Sequence, residues 1–316
     1  MALLKVEAEK LSNNQLVQGV VEEIIEKDPM FALLPFVRVN SKAYVYNRED
    51  VGAQNNITTG AGQPTFINVS DTIVEGAVPF KTITCALRIL AGDVQIDKFL
   101  QEIDGDTNDQ MAIQISAKAK AVGRQYHNAL VNGDASVNSG VVFDGLKALT
   151  TNADANAAQT ISASANGGAL TFTQLDNLLD LVPNGADALV MRRGTLRAFR
   201  AALRLQGGST GSEVIMNDFG QPMIAHNGVP ILINDFLPGN ETKGTSAGNV
   251  CSVYALRMNE VDGLHGLYGG ASAGIRIEAV GTHQTKDTDI VRVKWYAGLA
   301  LKSTKSLARL EGCTNI

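Results

Sequence analysis

The sequence predicts an α+β protein in which one long helix lies against antiparallel strands. Three observations predict it. Residues 106–133, DTNDQMAIQISAKAKAVGRQYHNALVNG, place Met111, Ile115, Val122, Tyr126 and Ala129 at helical spacing on one face. Such a helix is a rod of about 25 residues and about 37 Å. Residues 43–48 and 66–90 read as strands around a polar stretch, 49–64, EDVGAQNNITTGAGQP, which makes an extended hairpin. Residues 275–280 and 289–301 read as an antiparallel pair that closes the chain. No helix of comparable length follows the long one, so it is expected to cross the protein as a strut and not to join a bundle.

The other elements follow in order. A helix is expected over 12–28, opened by Ser12, striped by Leu16, Val20 and Ile24 and stopped by Pro29. The stretch 31–39 is apolar and broken by Pro35. The hairpin carries too few apolar residues to be stable alone in water, so it is expected to lie on something else. Residues 92–103 lead into the long helix, where Thr107 and Gln110 form a capping box and Gly133 supplies a left-handed stop. Residues 150–168 hold Ala, Asn, Ser and Thr with almost no large side chain, so they read as a connection and an internal boundary. Beyond it, Thr173 and Asp176 read as a second capping box, with Leu175, Leu178, Leu179 and Val182 inward. A buried strand at 188–191, a helix from Thr195 to Leu205, a strand–turn–strand unit at 221–237 and a strand at 250–256 follow. The stretch 263–274 is Gly-rich.

Composition bounds the function. The chain has 316 residues, 45% hydrophobic, a net charge of −5 and a mean hydropathy of +0.02. That balance gives no general attraction to nucleic acid or to an anionic membrane. No run of about 20 apolar residues suggests a membrane span. Cys85, Cys251 and Cys313 are far apart and unpaired in sequence, which argues against a disulfide framework or a zinc site.

Candidate chemistry is sparse. The pattern GxSxG occurs at 207–211 and 270–274, but neither match sits between a strand and a helix as a nucleophile elbow requires. His127, His226, His265 and His283 are widely separated and form no metal-binding spacing. No catalytic, cofactor-binding or metal-ligating residues are expected, and no enzyme activity. Arg193, Arg197, Arg200 and Arg204 recur at three- and four-residue spacing on one helical face with no acid among them. That face suits phosphate or the acids of a neighbouring subunit, and no aromatic residues interleave to stack bases.

The order of parts resembles the major capsid proteins of tailed bacteriophages, which have the Hong Kong 97-like fold. Residues Phe143 to Leu146, FDGL, after the long helix are similar to that family's FxGL turn. The segment 227–235, NGVPILIND, preceded by Gly220-Gln-Pro222, resembles a segment of its A-domain, and 291–308 its closing strand. The resemblance implies an N-terminal arm (1–38), an E-loop hairpin (39–84), a P-domain with the spine helix (85–150 and 275–316) and an A-domain (151–274). It implies a protein that self-assembles into pentamers and hexamers of an icosahedral head around double-stranded DNA, found in the virion and assembled in the host cytoplasm. Implied partners are further copies of the chain, a separate scaffolding protein, a portal, a decoration protein and packaged DNA bound without sequence specificity; no membrane or cofactor is implied. Tyr44, Tyr46, Phe66 and Ile67 of the hairpin are then candidate intersubunit contacts, as are Arg193, Arg197, Arg200 and Arg204. The first expected helix begins near Ser12, so a cleaved scaffolding segment is not expected. The tip has no lysine, so no covalent crosslink through it is expected, and boiled, reduced particles should run as one band near 33.5 kDa. An encapsulin-type nanocompartment shell is the alternative reading; a serine hydrolase and a nucleic-acid-binding module complete the set.

Overall fold

In a computed structural model, the described residues are 28–49, 68–70, 72, 80–104, 110–137, 139–152, 154–205, 214–216, 222–246, 248–270 and 274–315. The chain enters through a short helix α1 (Met30–Leu33) and strand β1 (Phe36–Val39). Strands β2 (Ala43–Glu49) and β3 (Phe80–Ala86) pair antiparallel from Ala43↔Ala86 to Glu49↔Phe80, forming a two-stranded ribbon. Strand β4 (Arg88–Asp97) and helix α2 (Lys98–Asp104) lead to the long helix α3 (Gln110–Asn132). Helix α4 (Leu146–Thr151), strand β5 (Thr160–Ser162), helix α5 (Phe172–Asp180), strand β6 (Ala188–Met191) and helix α6 (Arg193–Leu205) follow. The rest is strand: β7 (Val214–Met216), β8 (Pro222–His226), β9 (Val229–Ile233), β10 (Val250–Leu256), β11 (Leu264–Gly269), β12 (Arg276–Thr282), β13 (Thr288–Leu301) and β14 (Leu307–Thr314).

Two sheets organise these elements. Strand β13 is the axis of the first: β4 pairs with it over Thr288–Ala297, β12 over Asp289–Lys294 and β11 over Ala297–Leu301, and β1 adds to β11 in parallel. Alternation along β13 turns Val293 and Trp295 to one face, and α3 packs there through Val122, Tyr126 and Leu130. The Tyr126 and Trp295 rings lie 4.2 Å apart between centroids, both almost wholly buried. The second sheet runs β5-β14-β10-β6-β9-β8-β7. Its central strands β6 and β10 are buried along their whole length. One face of this sheet joins the α3 core, while the other carries α5 and α6 through Leu175, Leu178, Leu196 and Phe199.

The expected strut is present over Gln110–Asn132, with Thr107 and residues 12–27 of the helix expected over 12–28 lying outside the described residues. Gly133 stops the strut for a different reason from the one its sequence suggests. Its φ is not left-handed; a Cβ there would come 2.4 Å from the carbonyl oxygens of both Ala129 and Phe143. Gly145 in the FDGL turn is equally crowded, 2.5 Å from the Ala129 carbonyl, and its N–H donates to the Gly133 carbonyl at 2.9 Å. The turn and the helix end are therefore in backbone contact that only glycine permits.

Several expectations are corrected. Helix α5 is capped two residues earlier: Thr171 Oγ1 accepts from Gln174 N, and the Gln174 side chain accepts from Thr171 N. The stretch 80–90 is two strands parted at Leu87, and residues 92–97, expected as part of a lead into the helix, continue β4. The supposed connection at 150–168 contributes β5, which pairs in parallel with β14 over Thr160–Ser162. The Gly-rich stretch contains β11. Strand β14 pairs with β10 and β5 in the second sheet. For the strands, pairing with a strand distant in sequence overrides a weak local signal.

Glu311 of β14 is half-buried, which alone would push its carboxyl up. Hydrogen bonds from Lys243 Nζ and Ser162 Oγ, with Arg309 nearby, outweigh that and hold it below the usual carboxylate range. A carboxyl whose folded pKa is depressed contributes stability above its unfolded pKa, about 4.3 for Glu, and that stability is lost as pH falls through the lower folded value. Wild-type protein should therefore lose Tm steeply on acidification below about pH 4.5, with Glu311→Gln showing a shallower loss. Thermal melts from pH 7 to pH 3 measure the difference; parallel curves would contradict the assignment.

Candidate assembly surfaces

The hairpin base is built by strand alternation. Tyr44, Tyr46 and Arg48 point to one side of β2 and meet the end of β13. Tyr46 Oη donates to the Leu301 carbonyl, while Arg48 donates from Nε to the Lys302 carbonyl at 2.8 Å and from Nη2 to Leu301 at 2.6 Å. Tyr44 stands edge-on to His265 at 5.7 Å, with Lys302 Nζ over its ring. Lys81 of β3 pairs with Asp154 at 2.5 Å. Burial, with Cys85 adjacent, pushes the Tyr46 phenol up, so it remains a donor at neutral pH. Both tyrosine rings, named above as candidate intersubunit contacts, are thus half-buried against their own chain. On the ribbon, Val45 and Phe80 are the exposed apolar residues, at 55% and 70%. Phe66 and Ile67 lie outside the described residues. A cavity of about 170 Å³ lies beneath the ribbon, lined by Tyr46, Arg48, Cys85, Phe143, Asp154 and Leu301 among others.

The arginine helix α6 divides in two. At its start Arg193 grips Asp235 with both nitrogens, Nε to Oδ1 at 2.7 Å and Nη2 to Oδ2 at 2.6 Å, and the preceding Arg192 reaches the Asp235 and Leu237 carbonyls. These bonds fasten the helix to the end of β9. Beyond them Leu196 and Phe199 face the core, while Arg197, Arg200 and Arg204 are exposed. Among the described residues no carboxylate forms an ion pair with these three. Asp235, three residues past the NGVPIL run, is the partner the sequence did not single out; only its position at a strand end hinted at it.

The histidines serve packing and polar ties. His127 Nδ1 lies 2.6 Å from Asp28 Oδ2, and Asn234 Nδ2 donates to Asp28 Oδ1 at 2.9 Å, joining the chain entry, α3 and the end of β9. His226 Nε2 lies 2.8 Å from Asp176 Oδ1. His265 is buried, which pushes its pKa down. The three cysteines are free thiols, Cys251 and Cys313 fully buried. The GxSxG stretch at 207–211 lies outside the described residues, as does the serine of the second match, whose Gly270 and Gly274 have φ of 100° and 124°. Among the described residues no group of three metal-ligating side chains converges, and no helix is long and apolar enough to cross a membrane.

No protein-family model and no curated protein matches the chain. Solved structures do match over nearly its whole length. The holo-SrpI encapsulin complex from Synechococcus elongatus PCC 7942 aligns with a TM-score of 0.70 at 19% identity, covering 99% of this chain and 97% of that one. The capsid of the native GTA particle aligns at 0.63 and 14% identity, covering 96% and 95%. The capsid of Myoviridae phage XM1 aligns at 0.61 and 12% identity, covering 95% and 96%. These neighbours are shell proteins and not enzymes. From the spine helix to the closing strands, the chain therefore has the Hong Kong 97-like fold of capsid and encapsulin shells.

Proposed function

We propose that this chain is the shell subunit of an icosahedral particle, a major capsid protein that assembles into pentamers and hexamers of a phage head around double-stranded DNA. The observation that carries the reading is end-to-end similarity to shell subunits, with 95% or more of this chain covered in each of the three comparisons above. The exposed ribbon residues Val45 and Phe80 support it, because apolar area left open on a subunit is covered in an assembly. An acidic chain suits a container that must not grip its cargo. On this reading the protein resides in the virion, is assembled in the host cytoplasm, and works with scaffolding, portal and decoration partners.

The encapsulin reading rests on one observation, the TM-score of 0.70 to an encapsulin against 0.63 and 0.61 to the two capsids. Electron microscopy of the purified, expressed protein tests the shared claim: closed shells are expected, and a monodisperse monomer at all concentrations would sink it. Producing the protein with its neighbouring genes separates the two readings. Particles filled with nuclease-protected DNA support the phage head, whereas particles holding one co-purifying protein and no DNA support the nanocompartment.

A further inference from the structure

We infer that the subunit ring closes through opposite charges on two helices, the basic face of α6 on one copy meeting the acidic face of α5 on the next. This rests on the shell reading and adds the partner surface.

The two helices lie side by side on one face of the second sheet. Both send their apolar residues into the same core, and they touch through Phe172 and Phe199, whose centroids are 5.4 Å apart in an edge-on arrangement. Their outward faces are opposite in character. Helix α6, RGTLRAFRAALRL, has four arginines and no acid; helix α5, FTQLDNLLD, has two aspartates and no base. On α6, Arg193 is occupied by Asp235, which leaves Arg197, Arg200 and Arg204 exposed along about two turns. On α5, Asp176 is occupied by His226 and Asn227, each at 2.8 Å, while Asp180 and Asn177 are exposed. Within the subunit the free arginines and Asp180 form no ion pair among the described residues, so each face keeps its charge for an outside partner.

A surface that is basic at one place and acidic at another can meet its opposite either across a two-fold axis or head to tail, and the head-to-tail contact is the one that closes into a ring. Rings of five and six copies are what the proposed function requires. Charge complementarity of this kind sets register and partner choice more than bulk affinity, which suits a contact repeated around an axis. Phosphate is the competing occupant for three free arginines, and it makes no use of α5.

Charge exchange is the test. Arg197→Glu/Arg200→Glu reverses one face, and Asn177→Arg/Asp180→Arg reverses the other; all four positions are exposed, so the monomer should keep its circular dichroism spectrum and Tm. Each double variant is expected to lower the yield of closed particles by roughly tenfold or more, since like charges then face each other in every ring contact. The variant with all four changes should recover most of the wild-type yield. Wild-type assembly should also weaken with added salt. Failure of the fourfold variant to recover, or full assembly by either double variant, overturns the contact while wild-type particles keep the shell reading intact. Loss of packaged nucleic acid with normal assembly in the arginine variant assigns α6 to phosphate and overturns it too. If wild-type protein forms no particles, both the shell reading and this contact fall.

Discussion

Deleting residues 52–63 and joining the ends with a short turn should leave a folded subunit with nearly unchanged Tm, while closed shells become rare or fragile. The deletion removes a stretch with no apolar run, GAQNNITTGAGQ, which offers backbone donors and acceptors but little area to bury. What anchors the hairpin lies below it. Tyr46 and Arg48 hold the Leu301 and Lys302 carbonyls, Lys81 holds Asp154, and Ile83 is 7% exposed. None of these contacts uses the tip. Above them, Val45 and Phe80 remain largely exposed, and covering each fully by a neighbour would contribute roughly 1.5–3 kcal/mol. Summed around a closed shell, such contacts decide assembly without stabilising the subunit. Differential scanning calorimetry of the unassembled protein and electron microscopy of assembly reactions separate the two effects. If the deletion unfolds the isolated subunit, the tip belongs to the domain core and the hairpin does not serve assembly.

The parts of this architecture that were legible in the sequence are those with strong local periodicity. Helix α3 was legible because Val122 and Tyr126 recur at helical spacing on its buried face, and β6 because four apolar residues lie between turn signals. Helix α6 was legible as a basic face because Leu196 and Phe199 mark its opposite side. What escaped were strands whose reason for being is a partner far away. Strand β11, LHGLYG, is held by β13 and β1, and its Gly266 is small because the Phe36 ring lies where a Cβ would be, 2.4 Å off. Strand β5, TIS, exists because β14 offers a free edge nearly 150 residues later. The capping box of α5 was misplaced because Thr171 and Thr173 each stand three residues before a polar side chain, Gln174 and Asp176, and only hydrogen-bond geometry distinguishes them. The contacts of the β2 tyrosines with their own chain were not legible, because nothing local reveals that β13 ends beneath them.

Glu241→Ala should be among the most damaging single substitutions in the chain, at about 3–5 kcal/mol. Glu241 sits in the loop before β10 with its side chain 8% exposed, facing Arg309 of β14, itself 5% exposed. Its Oε1 lies 3.4 Å from Arg309 Nη2, and its Oε2 accepts from Ser252 Oγ at 2.5 Å. Ser252 in turn accepts from Arg309 Nε at 3.0 Å, closing a ring of three side chains inside the second sheet. Lys147 from α4 adds a longer contact at 3.5 Å. Removing the carboxylate leaves a guanidinium that cannot neutralise itself, because arginine does not lose its proton, with Glu311 at 3.9 Å as its remaining acid. A buried, underpaired charge is far more costly than the small cavity an alanine leaves. The paired replacement Glu241→Leu/Arg309→Met removes both charges and keeps most of the volume, so it should recover most of the loss. Urea unfolding at neutral pH reads the comparison directly. A single substitution costing under about 1 kcal/mol would show the pair to be solvated, like an exposed salt bridge. A double variant as unstable as the single would place the damage in lost shape and not in stranded charge. The expected pattern, a large single loss mostly erased in the double, would make this ring the electrostatic tie that fixes the 234–250 loop to the closing strand of the subunit.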